Sequence, residues 1–153
     1  MLSKIVGLLA TGFGVGRLPG PKGTYGTLVA IPCSLLLQSL GPIPYLVTLI
    51  TFVFVAVWVS EQMVRITGKH DPQVVVIDEI VGYMVGMALI PHNIGFMTLG
   101  FVLFRVCDIV KFWPMNWMEK NLSGGWGIVM DDVAAGVVTQ LLLRGLLWAV
   151  ATV

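Results

Sequence analysis

Charge is what this chain has least of. Its 153 residues include 9 Lys or Arg and 8 Asp or Glu, 11% in all, against roughly 25% in an ordinary soluble domain. At a net charge of +1 there is no broad basic surface to displace counterions, which excludes general nucleic-acid binding. Cysteine is scarce too. Cys33 and Cys107 lie far apart and belong to no CxxC pair or Cys/His cluster, so neither a disulfide nor a zinc site is expected. No HCx5R loop surrounds Cys107 and no DxDx(T/V) pattern occurs, leaving no signature of a cysteinyl- or aspartyl-phosphate intermediate. An internal repeat is also missing, which weakens a carrier reading, since many transporters are built from repeats around a midplane site.

What the chain has is apolar length. Hydrophobic residues make up 57% and the mean hydropathy is +0.92. A helical span takes about 20 apolar residues, so four or five segments nearly exhaust the sequence. The expected architecture is all-α: a single domain over residues 1–153, a polytopic membrane helix bundle with about five embedded helices and an N-terminal interfacial helix. Met1 to Ala10, with Lys4, superficially suggests a secretory signal, but the following Thr11 to Gly16 is glycine-rich rather than a small-residue cleavage site, so an interfacial or first-turn helix is expected. Residues 12–27 then carry six glycines and two prolines and cannot be helical throughout. Tyr25 to Leu40 and Tyr45 to Ser60 are uncharged runs around the turn Gly41-Pro42-Ile43-Pro44, a helical hairpin whose second arm can continue through Glu61 and Arg65.

After the polar turn 67–73 a helix is expected from Val74, and the uncharged run Ile80 to Phe104 poses a fork. As one helix it would rise roughly 37 Å at about 1.5 Å per residue, enough to cross a membrane and to separate Asp78-Glu79 from Asp108. With a turn at Pro91 to Gly95 it becomes two helices, about 74–90 and 95–111, and the acids return to one side. Lys and Arg in short loops stay cytoplasmic. The hairpin puts Lys4, Arg17, Lys22, Arg65, Lys69, Arg105, Lys111 and Lys120 on one face and leaves turns 41–44 and 91–95 without a cation, so it is preferred. The last helix is expected from about Gly127 to Val150, with Arg144 as a misfit that snorkels or pairs within the bundle.

Four segments carry chemistry. Residues 104–136 hold four of the eight carboxylates, and acids in so apolar a chain need a cation, a metal or a water cavity. Arg105, Asp108 and Lys111 fall at i, i+3 and i+6 on one helix face. This is an ion pair at its simplest, and also a site able to hold metal and phosphate together. Gly124-Gly125-Trp126-Gly127 opens a helix whose amides suit an anion, and Asp131-Asp132 exceed what a helix dipole asks for. Trp113 and Trp117 with Pro114 suit a segment at headgroup level. Upstream, Asp78, Gly82 and Gly86 share a stripe, a small-xxx-small pattern repeated by Asp132 and Gly136. Asp78-Glu79 equally suit a boundary-marking pair. The glycine segment could offer Arg17, Lys22, Thr24 and Thr27 to a phosphate or serve as a flexible re-entry. All-oxygen donors without Cys or His suit Mg2+ or Mn2+ better than zinc. His92 falls on the far face and His70 in a polar turn where solvation is the default.

In this order and over nearly the whole chain, these segments resemble the phosphatidylglycerophosphatase A family. The resemblance rests on Gly14-Val-Gly-Arg-Leu-Pro-Gly-Pro-Lys-Gly-Thr-Tyr-Gly-Thr27, the Asp78-Glu79 pair, Phe-Arg-x-x-Asp-Ile-x-Lys at Phe104 to Lys111, and Gly-Gly-x-Gly-Ile-x-x-Asp-Asp-x-x-Ala-Gly at Gly124 to Gly136. Two departures stand out: Lys22-Gly23-Thr24 where the family commonly has Pro-Gly-Thr, and Lys111-Phe-Trp-Pro114 where it commonly has Lys-Pro-x-Pro. The resemblance implies a Mg2+-dependent lipid phosphatase of the bacterial inner membrane, converting phosphatidylglycerophosphate to phosphatidylglycerol at the cytoplasmic leaflet. On that reading Asp78, Glu79, Asp108, Asp131 and Asp132 form the catalytic group, with Glu79, Asp108, Asp131 and Asp132 holding Mg2+. Arg17, Lys22, Thr24, Arg105 and Lys111 face the substrate phosphate. The alternatives are a small ion-coupled transporter or channel using the buried acids, and a noncatalytic scaffold.

Overall fold

The structure, a computed structural model, describes residues 2–152. Among these residues are seven α-helices, one 3-10 turn and no strand, in line with the all-α expectation. Helix α1 (Leu2–Ala10) leads into the glycine segment, which holds the 3-10 turn Val15–Arg17 before its last residues, from Lys22, enter the next helix. Helices α2 (Lys22–Gln38) and α3 (Pro42–Thr67) follow, then α4 (Ile77–Gly86), α5 (Ile94–Val110), α6 (Met115–Asn121) and α7 (Gly124–Ala151). Gly41 and Gly68 take φ of +90° and +67°, values that penalise a Cβ. They turn α2 into α3 and end α3.

Two helices are long and apolar enough to cross a membrane: α3, 26 residues at mean hydropathy 2.2, and α7, 28 residues at 1.7. They reach roughly 39 and 42 Å, beyond a hydrocarbon core of about 30 Å. Helices α2 and α5 have 17 residues each and α4 only 10, so length and apolarity single out two spans where about five embedded helices were expected. Most of the shortfall is in the helix expected at 74–90. Val75 N–H donates to Pro72 O and Val76 N–H to Ala10 O, at 2.9 and 2.8 Å. The chain is thereby tied to the end of α1 before it can wind. Helix α4 then stops at Gly86, and α5 starts only at Ile94, with Asn93 Oδ1 accepting from Phe96 N–H at 2.9 Å. The uncharged run 80–104 is therefore two helices. The short α6 occupies the segment in which the tryptophans were expected to lie at headgroup level.

Although short, α4 is central, packing on α2, α3, α5 and α7. Seven of its ten residues are buried, which matches an element apolar nearly all round. Its crossing with α7 depends on glycine. A Cβ on Gly136 would collide with Gly82 O, one on Gly82 would lie 2.7 Å from Asp132 O, and one on Gly86 would lie 3.2 Å from Thr139. The contacts climb in step, 82 against 132–136 and 86 against 136–139, so the two helices run in the same direction. Asp78, in the first turn of α4 and one turn below Gly82, thereby meets Asp132, one turn below Gly136 and about two turns into α7.

The outer faces of α2, α3, α5 and α7 expose Leu36, Ile50, Phe54, Val106, Ile109, Leu141 and Trp148. Spread around four helices, this exceeds the scattered apolar exposure of an ordinary monomer surface. Arg144 is exposed and has no acidic partner among the described residues.

Candidate active site

The close α4–α7 crossing gathers carboxylates that sequence separates by more than fifty positions. Asp78, Glu79 and Asp132 each offer an oxygen, and these oxygens lie within 4.8 Å of one another. Asp78 Oδ1 and Glu79 Oε2 are buried with no hydrogen-bond partner among the described residues. Unit charges about 5 Å apart repel by roughly 3 kcal/mol per pair at an effective dielectric of about 20. Together with the orphaned oxygens, that repulsion calls for a cation or protons among them. The donors are all carboxylate oxygens, which fits a hard divalent cation better than zinc.

The other two acids are committed to cations. Asp108 is ion-paired with Arg105, both side chains mostly buried. Asp131, 5% exposed, takes Lys111 Nζ on Oδ2 at 2.8 Å and Asp132 N–H on Oδ1 at 3.0 Å. Lys111 also donates to Glu119 Oε1 of α6 at 3.0 Å. Burial alone would lower the Lys111 pKa, but hydrogen bonds and charge from Asp131 and Glu119 outweigh it and raise the ammonium above the ordinary lysine range. Lys111, at the left-handed cap of α5 with φ of +46°, thus ties α5 to α6 and α7.

A cleft of about 450 Å³ opens over these groups, within the roughly 300–1,000 Å³ usual for small-molecule sites. It is lined by all five predicted acids and by Lys22 and Lys111. Lys22, at the start of α2, forms no ion pair among the described residues, so it is the lining cation whose charge is uncommitted. The glycine segment reaches this place because Gly23 has no side chain. A Cβ there would stand 2.5 Å from Glu79 Oε1 and 2.7 Å from an Arg105 guanidinium nitrogen.

Three residues assigned to phosphate do not line the cleft. The exposed Arg17 has its guanidinium over Gly7 of α1. Thr24, half-buried, is not among the lining residues, and Arg105 lies behind Asp108 rather than on the wall. The Thr27 hydroxyl is committed to Gly23 O at 2.8 Å. At the start of α7, Gly125 N–H is already taken by Glu61 Oε2 of α3 at 2.9 Å. An internal carboxylate thus uses one of the amides that the sequence offered to an anion.

The family-model comparison for phosphatidylglycerophosphatase A matches residues 8–147. This chain belongs to the phosphatidylglycerophosphatase A family. It is 36% identical over 137 residues to the phosphatidylglycerophosphatase A of Escherichia coli K12, covering 89% of this chain and 80% of that protein. To the Haemophilus influenzae Rd protein of the same name it is 31% identical over 138 residues, 89% of this chain and 85% of that one. It is also 35% identical over 151 residues, 94% of each chain, to a putative phosphatidylinositol-3-phosphatase of Bacteroides thetaiotaomicron. No solved structure matches.

The family match contains every residue of the cleft. Sequence reasoning missed two of the groups that build the site. Glu61 received no role, although it is the only acid of α3. Glu119 lies eight positions from Lys111, across the break between α5 and α6, where helix periodicity does not carry over. His70, expected in a solvated turn, lines the cleft, as do Asp71 and Gln73, which received no role. At the far end of the bundle His92 shares hydrogen bonds with Ser34 Oγ at 2.6 Å and Ile90 O at 2.7 Å. Burial lowers its pKa, opposed in part by the Ile90 bond, so it is a neutral structural link between α2 and the α4–α5 turn.

Proposed function

We propose that this chain is a membrane-embedded, Mg2+-dependent phosphatase that hydrolyses phosphatidylglycerophosphate to phosphatidylglycerol and inorganic phosphate. The observation that carries the reading is one open cleft joining an unsatisfied carboxylate trio to the uncommitted ammonium of Lys22. A phosphate monoester carries both acceptors for that ammonium and oxygens for a divalent ion. Two of the relatives are named for phosphatidylglycerophosphate and a third for a phosphoinositide; a phosphorylated lipid headgroup is common to all three names.

Asp78, Glu79 and Asp132 would hold Mg2+, with Asp108 and Asp131 beside them. Bound there, the ion would supply Lewis-acid polarisation of the phosphoryl oxygens and an acidified water. Lys22 binds and orients the phosphate. Arg105, from behind the wall, and Lys111, on it, fix Asp108 and Asp131 through their ion pairs. Hydrolysis forms a bond from water oxygen to phosphorus and breaks the bond from phosphorus to the headgroup oxygen, which leaves with a proton. A carboxylate of the cluster takes the proton from water and returns one to the departing headgroup oxygen. The acyl chains remain in the bilayer beside the apolar faces of α2, α3, α5 and α7, so only the headgroup enters the cleft.

Purified protein with phosphatidylglycerophosphate and Mg2+ is expected to release phosphate. Chelation is expected to lower the rate by on the order of 10² to 10³, as several kcal/mol of charge stabilisation is lost, and Mg2+ to restore it. Release undiminished by chelator would remove the metal from the reading, and no release at all would remove the substrate.

A cleft facing the cytoplasm from the bacterial inner membrane is supported by the cations that cluster at its end of the bundle, whereas the turns after α2 and α4 have none. A compartment-sensitive reporter fused after residue 70 should read cytoplasm, and one fused after residue 93 the opposite side. The reverse pattern would invert the orientation.

A further inference from the structure

The cleft has two chemically different walls. The inner wall is the acid cluster with its lysines, which suits the reacting phosphate. The outer wall comes from the connection between α3 and α4, where His70, Asp71 and Gln73 line the opening. All three are exposed, and none of their side chains makes a hydrogen bond or ion pair within the described residues.

This connection is fixed at its base, so these side chains are presented rather than trailing. Gly68 closes α3 in the left-handed region, its N–H on Val64 O at 2.9 Å. Pro72 is buried and accepts from Val75 N–H, and Val76 is bonded to Ala10 O. Gly16 packs so closely against Val74 O that a Cβ there would collide with it. The segment is therefore held at both ends, with two polar loop residues and Gln73 facing one opening.

Their chemistry differs from that of a second phosphate site. A carboxylate repels phosphate, and an amide and an imidazole offer directional donors and acceptors without a full positive charge. That set suits hydroxyl groups. The relatives sharpen the point: proteins at 36% and 35% identity are named for lipids whose phosphates sit on different polyols, glycerol and inositol. A shared phosphate-handling wall leaves the choice of polyol to a second one.

We propose that His70, Asp71 and Gln73 form a headgroup-reading subsite that hydrogen-bonds the hydroxyls of the polyol carrying the reacting phosphate. The subsite rests on the phosphatase reading above. It gives the enzyme a preference for polyol-bearing lipids over a lipid whose phosphate is attached directly to diacylglycerol, because each hydroxyl bonded there adds net hydrogen-bond stabilisation that the other lipid does not supply.

The test compares kcat/KM for phosphatidylglycerophosphate and for phosphatidic acid, in the wild type, in Asp71→Ala combined with Gln73→Ala, and in Lys22→Ala. The wild type should favour phosphatidylglycerophosphate, and the double variant should shrink that preference by about tenfold to a hundredfold. Lys22→Ala should depress both substrates together and leave the ratio unchanged. A double variant that keeps the wild-type ratio, or that loses both activities in parallel, overturns the subsite while the phosphatase reading stands. Absence of phosphate release from either lipid by the wild type overturns that reading, and the subsite with it.

Discussion

Asp132→Asn is expected to lower phosphate release by at least about a thousandfold while the protein stays folded. Asp132 is 4% exposed and contributes one of three oxygens that lie within 4.8 Å of one another. Asparagine keeps its shape and removes its charge. Relief of repulsion worth roughly 3 kcal/mol per pair should leave metal-free stability undiminished or raised. Loss of a charged donor should weaken the hold on a divalent ion, and loss of metal and electrostatic stabilisation together spans several kcal/mol of barrier. Two measurements separate chemistry from folding: the rate of phosphate release, and the rise in melting temperature on adding Mg2+. The variant should melt at or above the wild-type temperature without Mg2+ and show little rise with it. Asp131→Asn should cost less, because Asp131 is engaged by Lys111 and lies outside the trio. If the Asp131→Asn, Asp132→Asn double variant remains active, the proposed site is wrong.

The sequence revealed those parts of the molecule that follow from local rules. Pro91 and the uncharged turns marked the α4–α5 hairpin, because a proline and a run without cations constrain backbone and topology directly. The pairing of Asp78 with Gly82, and of Asp132 with Gly136, was visible as two similar stripes. Which stripe met which became clear only from the parallel crossing, where Gly136 abuts Gly82 O. Other features depend on partners distant in the chain. Val74 to Val76 look like the start of a helix, yet the bonds from Val75 N–H to Pro72 O and from Val76 N–H to Ala10 O keep them out of it. Glu61 reads as an interfacial charge until Gly125 N–H arrives 64 positions later. The division of labour among the acids was also hidden. Asp108 and Asp131 are spent on Arg105 and Lys111, and Asp78 joins Glu79 and Asp132. Residue type alone cannot assign such partners, because all five are carboxylates in an apolar chain.

Gly136→Ala and Gly145→Ala, the same change nine positions apart on α7, should have opposite outcomes. A Cβ at Gly145 meets nothing within 4 Å, and replacing an exposed helical glycine by alanine favours the helix by about 0.5–1 kcal/mol. A Cβ at Gly136 would meet the Gly82 carbonyl and, at 3.0 Å, Val85. The obstruction is backbone, so no side-chain rotation relieves it and α4 must move away from α7. Overpacking of this kind costs about 1–3 kcal/mol, and the displacement also parts Asp78 and Glu79 on α4 from Asp132 on α7. Gly136→Ala should therefore lower the melting temperature in detergent and cut the rate by on the order of a hundredfold, with more Mg2+ needed for half-maximal activity. Gly145→Ala should match or exceed wild-type stability at unchanged rate. Equal behaviour of the two variants would mean that the glycine crossing does not set the spacing of the acids, and the link from helix packing to metal affinity would fail with it.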